Sequence, residues 1–173
     1  MSDTLITIIA IALAAVLMFV FPLMTMSDRT DDIAQLTVKT ATTEFVDKIR
    51  STGKITTTNY DEFVETITST GNTYNVDMEV QVKDENLGKK VSQAQSDKIG
   101  ENVYYSVYTS QIEEALDKQG NYYCKEGDIV SVSVKNTNQT MAQQLKNFFY
   151  SVTGNDAYTI AAEHAGVVTA NGK

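Results

Sequence analysis

The sequence predicts an α+β protein in which a long N-terminal helix, half transmembrane and half amphipathic, packs on a small, mainly antiparallel sheet with short helices. Three observations support this prediction. Leu5 to Met24 form an uninterrupted apolar run, residues 28–52 carry an apolar stripe of helical period, and Tyr74 to Lys83 alternate strictly between apolar and polar side chains. Periods of 3.6 and 2 residues are typical of helices and strands respectively.

The apolar run reads LITIIAIALAAVLMFVFPLM, and its only polar side chain is that of Thr7. At about 1.5 Å per residue, such a helix is long enough to cross the hydrocarbon core of a bilayer. A cleaved signal peptide needs a basic start and small residues at its end, and the segment has neither. We therefore expect residues 1–27 to be retained as an anchor, with the lipid bilayer contacting Leu5 to Met24.

The charges that flank the anchor give only a weak preference for one orientation. No Lys or Arg precedes the apolar run, and Arg29 follows it among three carboxylates, those of Asp28, Asp31 and Asp32. Because basic loops stay on the cytoplasmic side, an acidic flank favours the outside. The expected location is therefore the cell membrane, crossed once, with residues 28–173 forming an extracellular α+β domain.

The segment after the anchor, residues 28–52, is expected to continue the same helix. Five apolar residues lie near the 3.6-residue period and are expected to face the core: Ile33, Leu36, Ala41, Phe45 and Ile49. Val38 and Val46 lie at the margins of this stripe. Gly53 is the expected terminator, and Pro22 marks the position where the two halves of the helix could bend.

The remainder of the domain is expected to contain three short helices and three strands. The predicted helices end at Gly-Asn pairs that are followed by tyrosine, and they cover residues 60–67, 108–119 and 141–152. Thr58 or Asn59 is the expected cap of the first, and a residue between Asn138 and Thr140 that of the third. The predicted strands cover residues 74–83, 127–135 and 157–164, with a hairpin turn at Gly166 into Val167 and Val168. Residues 84–102 form a long polar loop.

Composition and motifs argue against most chemical functions. The chain carries 22 acidic against 14 basic residues, a net charge of −8, which disfavours nucleic acid as a partner. No phosphate loop, nucleophile elbow or metal-ligand spacing occurs, so we expect no enzyme and no catalytic, cofactor-binding or metal site. Cys124 is expected to be a buried filler and His164 an ordinary strand residue. The adjacent pairs Asp31-Asp32 and Glu113-Glu114 are expected to be solvated or to complement a helix dipole.

Five tyrosines cluster in sequence around the second short helix: Tyr104, Tyr105, Tyr108, Tyr122 and Tyr123. Core packing is the favoured interpretation, and the alternative is a contact surface, because tyrosine is enriched at interfaces. The sequence Asn138-Gln139-Thr140 has the form of a glycosylation site, but a helix-capping role is preferred.

The order of these segments resembles that of the pilin-like proteins of type IV filament and tight-adherence systems. The resemblance rests on Leu5 to Met24, then Ile33 to Ile49, then the strands at Tyr74 and Gly127, with Pro22 near the bend of many pilin helices. Asn121 to Gly172 look like the ends of small anchored proteins of Gram-positive tight-adherence systems. Because the glycine and glutamate of a prepilin-peptidase site are absent, the resemblance implies an accessory or unprocessed subunit.

Two functions follow from this organisation. The first, implied by the resemblance, is a pilin-like structural subunit of a pilus or related secretion apparatus. Its partners would be other pilin-like subunits or assembly-platform proteins, reached by helix–helix assembly. The alternative is a monomeric, membrane-tethered extracellular domain that binds or senses a ligand, either through the tyrosine-rich region or through residues 84–102.

Overall fold

The computed structural model describes residues 2–84, 104–150 and 159–172. Its first element, α1, is a single helix of 51 residues, Ser2–Thr52, which runs without interruption through Pro22. The predicted continuity of anchor and amphipathic segment is therefore confirmed. The proline removes one backbone donor without ending the helix, and the second half of α1 packs on the sheet.

Nine shorter elements follow α1 in the described residues. The strands are β1 (Lys54–Thr56), β2 (Tyr74–Lys83), β3 (Tyr104–Tyr108), β4 (Asn121–Tyr123), β5 (Ile129–Asn136) and β6 (Ala161–Val167). The helices are α2 (Thr57–Thr68), α3 (Thr109–Gln119) and α4 (Met141–Tyr150). The order of helices and strands confirms the predicted α+β class.

The main sheet has four strands in the order β3-β2-β5-β6, and every neighbouring pair is antiparallel. In the described residues, a second sheet pairs β1 with β4. One face of the main sheet carries Val80, Val130, Val132 and Val134, which are all fully buried. The opposite face carries polar residues of β2 and β5, as the strict alternation of these strands predicts.

The core lies between this sheet face and α1, and its position corrects the predicted stripe of the helix. Val38 and Val46, expected at the margins, are fully buried, whereas Ile33 and Leu36 are 66% and 65% exposed. Periodicity identifies a helix. It does not determine which of two neighbouring apolar stripes on that helix is buried, because the two have similar hydropathy. Here the small side chains of Ala34 and Thr42 lie on the buried side, where they allow α1 to approach the sheet closely.

Several predicted boundaries also change. The helix α2 starts at Thr57 and is capped by Thr56, whose hydroxyl accepts a hydrogen bond from Asn59 N–H at 3.2 Å, so a cap at Thr58 or Asn59 was wrong. The hairpin turn at Gly166 was also wrong, because β6 runs straight through that residue, which pairs with Val130. The predicted end of the third helix, at residue 152, and the predicted start of the third strand, at residue 157, lie outside the described residues.

Other boundaries agree closely with the sequence. The strand β2 has its predicted ends, α3 starts one residue later than expected, and α4 is capped by Thr140, whose hydroxyl accepts from Gln143 N–H. Asn138 has another role, because its side chain accepts a hydrogen bond from Thr73 N–H and donates one to Asn72. Apart from Asp84, the predicted loop at 84–102 lies outside the described residues.

Gly53 follows the last residue of α1, and residues 170–172 pack against it. Its φ is +69°, and its carbonyl accepts a hydrogen bond from Cys124 N–H at 2.7 Å. A β-carbon at this position would lie 2.3 Å from the carbonyl oxygen of Ala170. The residue is therefore required both for a left-handed conformation and for a close backbone approach.

Substitution Gly53→Ala should lower the free energy of unfolding by about 2–3 kcal/mol, since left-handed strain adds to a steric clash with backbone. The matched control is Gly71→Ala, where φ is +82° but no atom lies near the added carbon. The control should cost about 1 kcal/mol, from strain alone. Urea unfolding followed by circular dichroism measures both, and equal losses would contradict the role given to the C-terminal segment.

Candidate functional site

In the described part of the chain, no other element packs over the apolar half of α1. Apart from half-buried Val20, its large side chains are exposed from Leu5 to Leu23, including those of Ile8, Met18 and Phe19. By length and composition this part of the helix could cross a membrane. Leaving so much apolar surface in water is strongly unfavourable, and contact with lipid or with other apolar helices would stabilise the segment.

After the apolar run, three more large apolar side chains are exposed on the side of α1 that faces away from the sheet. Met26, Ile33 and Leu36 are 72%, 66% and 65% exposed, and their spacing of seven and three residues places them on one side of the helix. We call these three residues the outer stripe. Single exposed apolar residues are common on protein surfaces, and exposed Arg29 and Thr30 lie between Met26 and Ile33, but these three share one side of the helix with the apolar run below them.

Polar contacts to the domain fix the rotation of α1 and therefore the direction of the outer stripe. The Gln35 amide bonds to both backbone groups of Ala161, donating to its carbonyl at 2.6 Å and accepting from its N–H at 3.0 Å. Arg50 donates to the carbonyl of Val167 at 3.0 Å. These contacts hold both ends of the amphipathic half along β6, an edge strand of the sheet.

A third contact corrects the prediction for the Asp31-Asp32 pair. Asp32 is exposed as expected, but Asp31 is buried, and its carboxylate accepts a hydrogen bond of 2.6 Å from the Thr140 hydroxyl. Asp31 is buried because the start of α4 packs against this part of α1. By contrast, Glu113 and Glu114 are both exposed, as predicted for a solvated pair.

The tyrosine cluster does not fill the core. Tyr104, Tyr105, Tyr108 and Tyr123 are exposed, and only Tyr122 is packed against the core cluster. The expectation of core packing was therefore wrong for four of the five residues. These side chains lie on and beside β3 and β4, two short strands that sequence reasoning did not identify as separate elements.

Cys124 and His164 occupy the positions expected of structural residues. Cys124 is buried, and burial together with nearby Asp128 raises the pKa of its thiol to about 12. His164 lies on β6 opposite Val132, with Nε2 3.8 Å from a carboxylate oxygen of Asp47. Among the described residues, no group of three or more His, Cys, Asp or Glu side chains is arranged to hold a metal ion.

The buried thiol predicts both low reactivity and a loss of stability in alkali. In the folded chain at neutral pH, Cys124 should react with a maleimide at least about a hundredfold more slowly than in urea, because only the thiolate attacks and only opening exposes it. The unfolded thiol ionises near pH 9.0 and the folded one near 12, so stability is full below pH 9 and falls as the pH rises towards 12.

Tyr60 contributes to this alkaline loss in the same direction. Burial, followed by its hydrogen bond to Glu113, raises the pKa of Tyr60 from 10.0 to about 12. Urea midpoints measured between about pH 8 and pH 11 test the pH dependence. A midpoint that is independent of pH over this range, or rapid maleimide labelling of the folded chain, would contradict the burial of these groups.

Comparison of the chain with protein-family models, curated proteins and solved structures finds no match. The most distinctive feature of the chain is the exposed apolar half of α1, together with the outer stripe on the amphipathic half.

Proposed function

We propose that the chain is a pilin-like structural subunit of a type IV or tight-adherence pilus, or of a related secretion apparatus, and that it assembles through helix–helix contacts along α1. The observation that carries this proposal is the exposed apolar surface of α1, which reaches beyond the apolar run to Ile33 and Leu36. A simple anchor needs apolar residues only within the bilayer. An assembly helix needs them wherever a neighbouring helix packs.

The physical basis of assembly is the replacement of lipid by protein. A helix such as Leu5 to Met24 leaves a bilayer only when other apolar helices surround it. Four alanines at positions 10, 12, 14 and 15 would let neighbouring backbones approach closely within the span. The partners would be other pilin-like subunits or platform proteins. The folded domain would remain in solvent, as suits a chain with a net charge of −8.

The proposed orientation places the folded domain outside the cytoplasm, in a protein that crosses the cell membrane once. No catalytic step is assigned to the domain. In this proposal, binding to other subunits is the whole activity.

Replacement of the span tests the proposal. Exchanging residues 5–24 for an unrelated transmembrane helix of equal length should keep the domain folded and membrane-bound but abolish complexes larger than the monomer in mild detergent. The matched control replaces only the exposed large residues on one side of the span and retains the four alanines. Complexes that survive the complete exchange would exclude span packing as the basis of assembly.

A second candidate function is a monomeric, membrane-tethered domain that binds or senses an extracellular ligand. The exposed side chains of Tyr105, Tyr108 and Tyr123 favour it, because exposed tyrosines commonly form binding surfaces. This candidate predicts a monomer in detergent and full activity after the span exchange, the opposite of the result expected for a subunit.

A further inference from the structure

The helix α4 begins beside the part of α1 that follows the apolar run. Thr140, its capping residue, donates a hydrogen bond of 2.6 Å to buried Asp31. Asp31 follows Met24 by seven residues, or about 10 Å along α1. If the apolar run crosses a bilayer, the start of α4 therefore lies close to the bilayer surface.

The two sides of α4 differ strongly in character. Ala142 and Gln143 are buried against the domain, whereas Met141 is 66% exposed. The sequence of α4 places Leu145 and Phe148 four and seven residues after Met141. Apolar residues at i, i+4 and i+7 form a stripe along a helix, so α4 has the pattern of an amphipathic helix whose apolar stripe includes an exposed residue.

The charge of α4 also distinguishes it from the rest of the chain. Its sequence, MAQQLKNFFY, contains one lysine and no acidic residue, although the whole chain carries a net charge of −8. Aromatic residues near its end, Phe149 and Tyr150, belong to the types enriched at membrane interfaces. A helix of this composition is not repelled by anionic lipid headgroups.

We propose that α4 docks on the bilayer that holds the apolar run, with the exposed side chain of Met141 inserted at the boundary between headgroups and acyl chains. The inference rests on the proposed membrane anchor. A second copy of the chain fits less well as the occupant, because α4 packs on the Asp31 side of α1, whereas the outer stripe lies on the opposite side. A neighbour that packs on Ile33 and Leu36 would therefore not cover Met141.

Docking would fix the domain relative to the membrane. The helix α1 gives one attachment, around which the domain could otherwise rotate and tilt. A second contact through α4 removes that freedom and presents the outer stripe in one direction. Entry of the subunit into an assembly outside the bilayer would then require release of α4 from the lipid.

The chain contains no tryptophan, so single tryptophans can report on lipid contact. We compare three variants of the full chain in lipid nanodiscs: Met141→Trp in α4, Phe19→Trp in the span and Tyr123→Trp in β4. Each is measured in ordinary phosphatidylcholine and phosphatidylglycerol and in the same lipids brominated on the upper acyl chain. Because interfacial helices bury their apolar side about 5–10 Å deep, bromine should roughly halve the Met141→Trp emission.

The Phe19→Trp emission should also be quenched, and the Tyr123→Trp emission should not change. Quenching of Phe19→Trp without quenching of Met141→Trp would overturn the docking of α4 and leave the anchor intact. That result includes the case in which a second copy of the chain covers Met141 and shields it from lipid. Absence of quenching in both variants would overturn the anchor and the docking together.

Discussion

Phe45→Ala should lower the free energy of unfolding by about 4 kcal/mol, because it removes a buried aromatic ring and leaves a cavity between α1 and α2. The ring of Phe45 is buried and stacks on Phe63, with centroids 4.5 Å apart and planes inclined by 5°. Tyr60 lies on another side of it, with a centroid distance of 6.3 Å.

Leu36→Ala is the matched control on the same helix, since it also truncates a large apolar residue. Its side chain is exposed, so the free energy of unfolding should change by less than about 0.5 kcal/mol. Urea unfolding of the full chain in mild detergent, followed by circular dichroism, measures both variants. A larger loss for Leu36→Ala than for Phe45→Ala would mean that α1 is rotated relative to the sheet.

Leu36→Asp should separate assembly from folding. The carboxylate remains solvated in the isolated subunit, so the domain should unfold at the same urea concentration as the parent. In an assembled state the charge would be placed against an apolar helix, and its desolvation should weaken association at least about a hundredfold. The measurement is the fraction of chain that sediments as a complex at fixed detergent and protein concentrations.

The control for this experiment is Thr66→Asp, which adds the same charge at an exposed position of α2. It should leave both the stability and the complexes unchanged. Dissociation caused equally by both substitutions would indicate a general effect of negative charge, and the outer stripe would lose its assigned role. Retention of complexes by Leu36→Asp would have the same consequence.

Sequence reasoning succeeded where one local pattern determines the result. In β2 and β5, period-2 alternation identifies the buried valines without knowledge of the partner strands, and β2 has its predicted ends. The continuity of α1 follows similarly from its uninterrupted helical pattern. Local capping chemistry also located α4, whose cap is Thr140.

Other features depend on contacts between distant parts of the chain and could not be predicted from local patterns. The rotation of α1 depends on contacts such as that of Gln35 with Ala161, so the period alone assigned Ile33 and Leu36 to the core. Gly166 suggested a turn, but within β6 its lack of a side chain instead accommodates Arg50, whose Cδ would lie 2.5 Å from an added β-carbon. The exposure of the outer stripe follows from this packing and could not be predicted from the sequence.

Oxidative cross-linking between subunits tests the proposed assembly most directly. Leu36→Cys places a thiol on the outer stripe, Asp117→Cys places one on an exposed position of α3, and native Cys124 is buried and contributes no surface thiol. In membranes that contain the full chain, mild oxidation should give disulfide-linked dimers of Leu36→Cys and leave Asp117→Cys monomeric. Dimers from neither variant, or equally from both, would contradict assembly through the exposed face of α1.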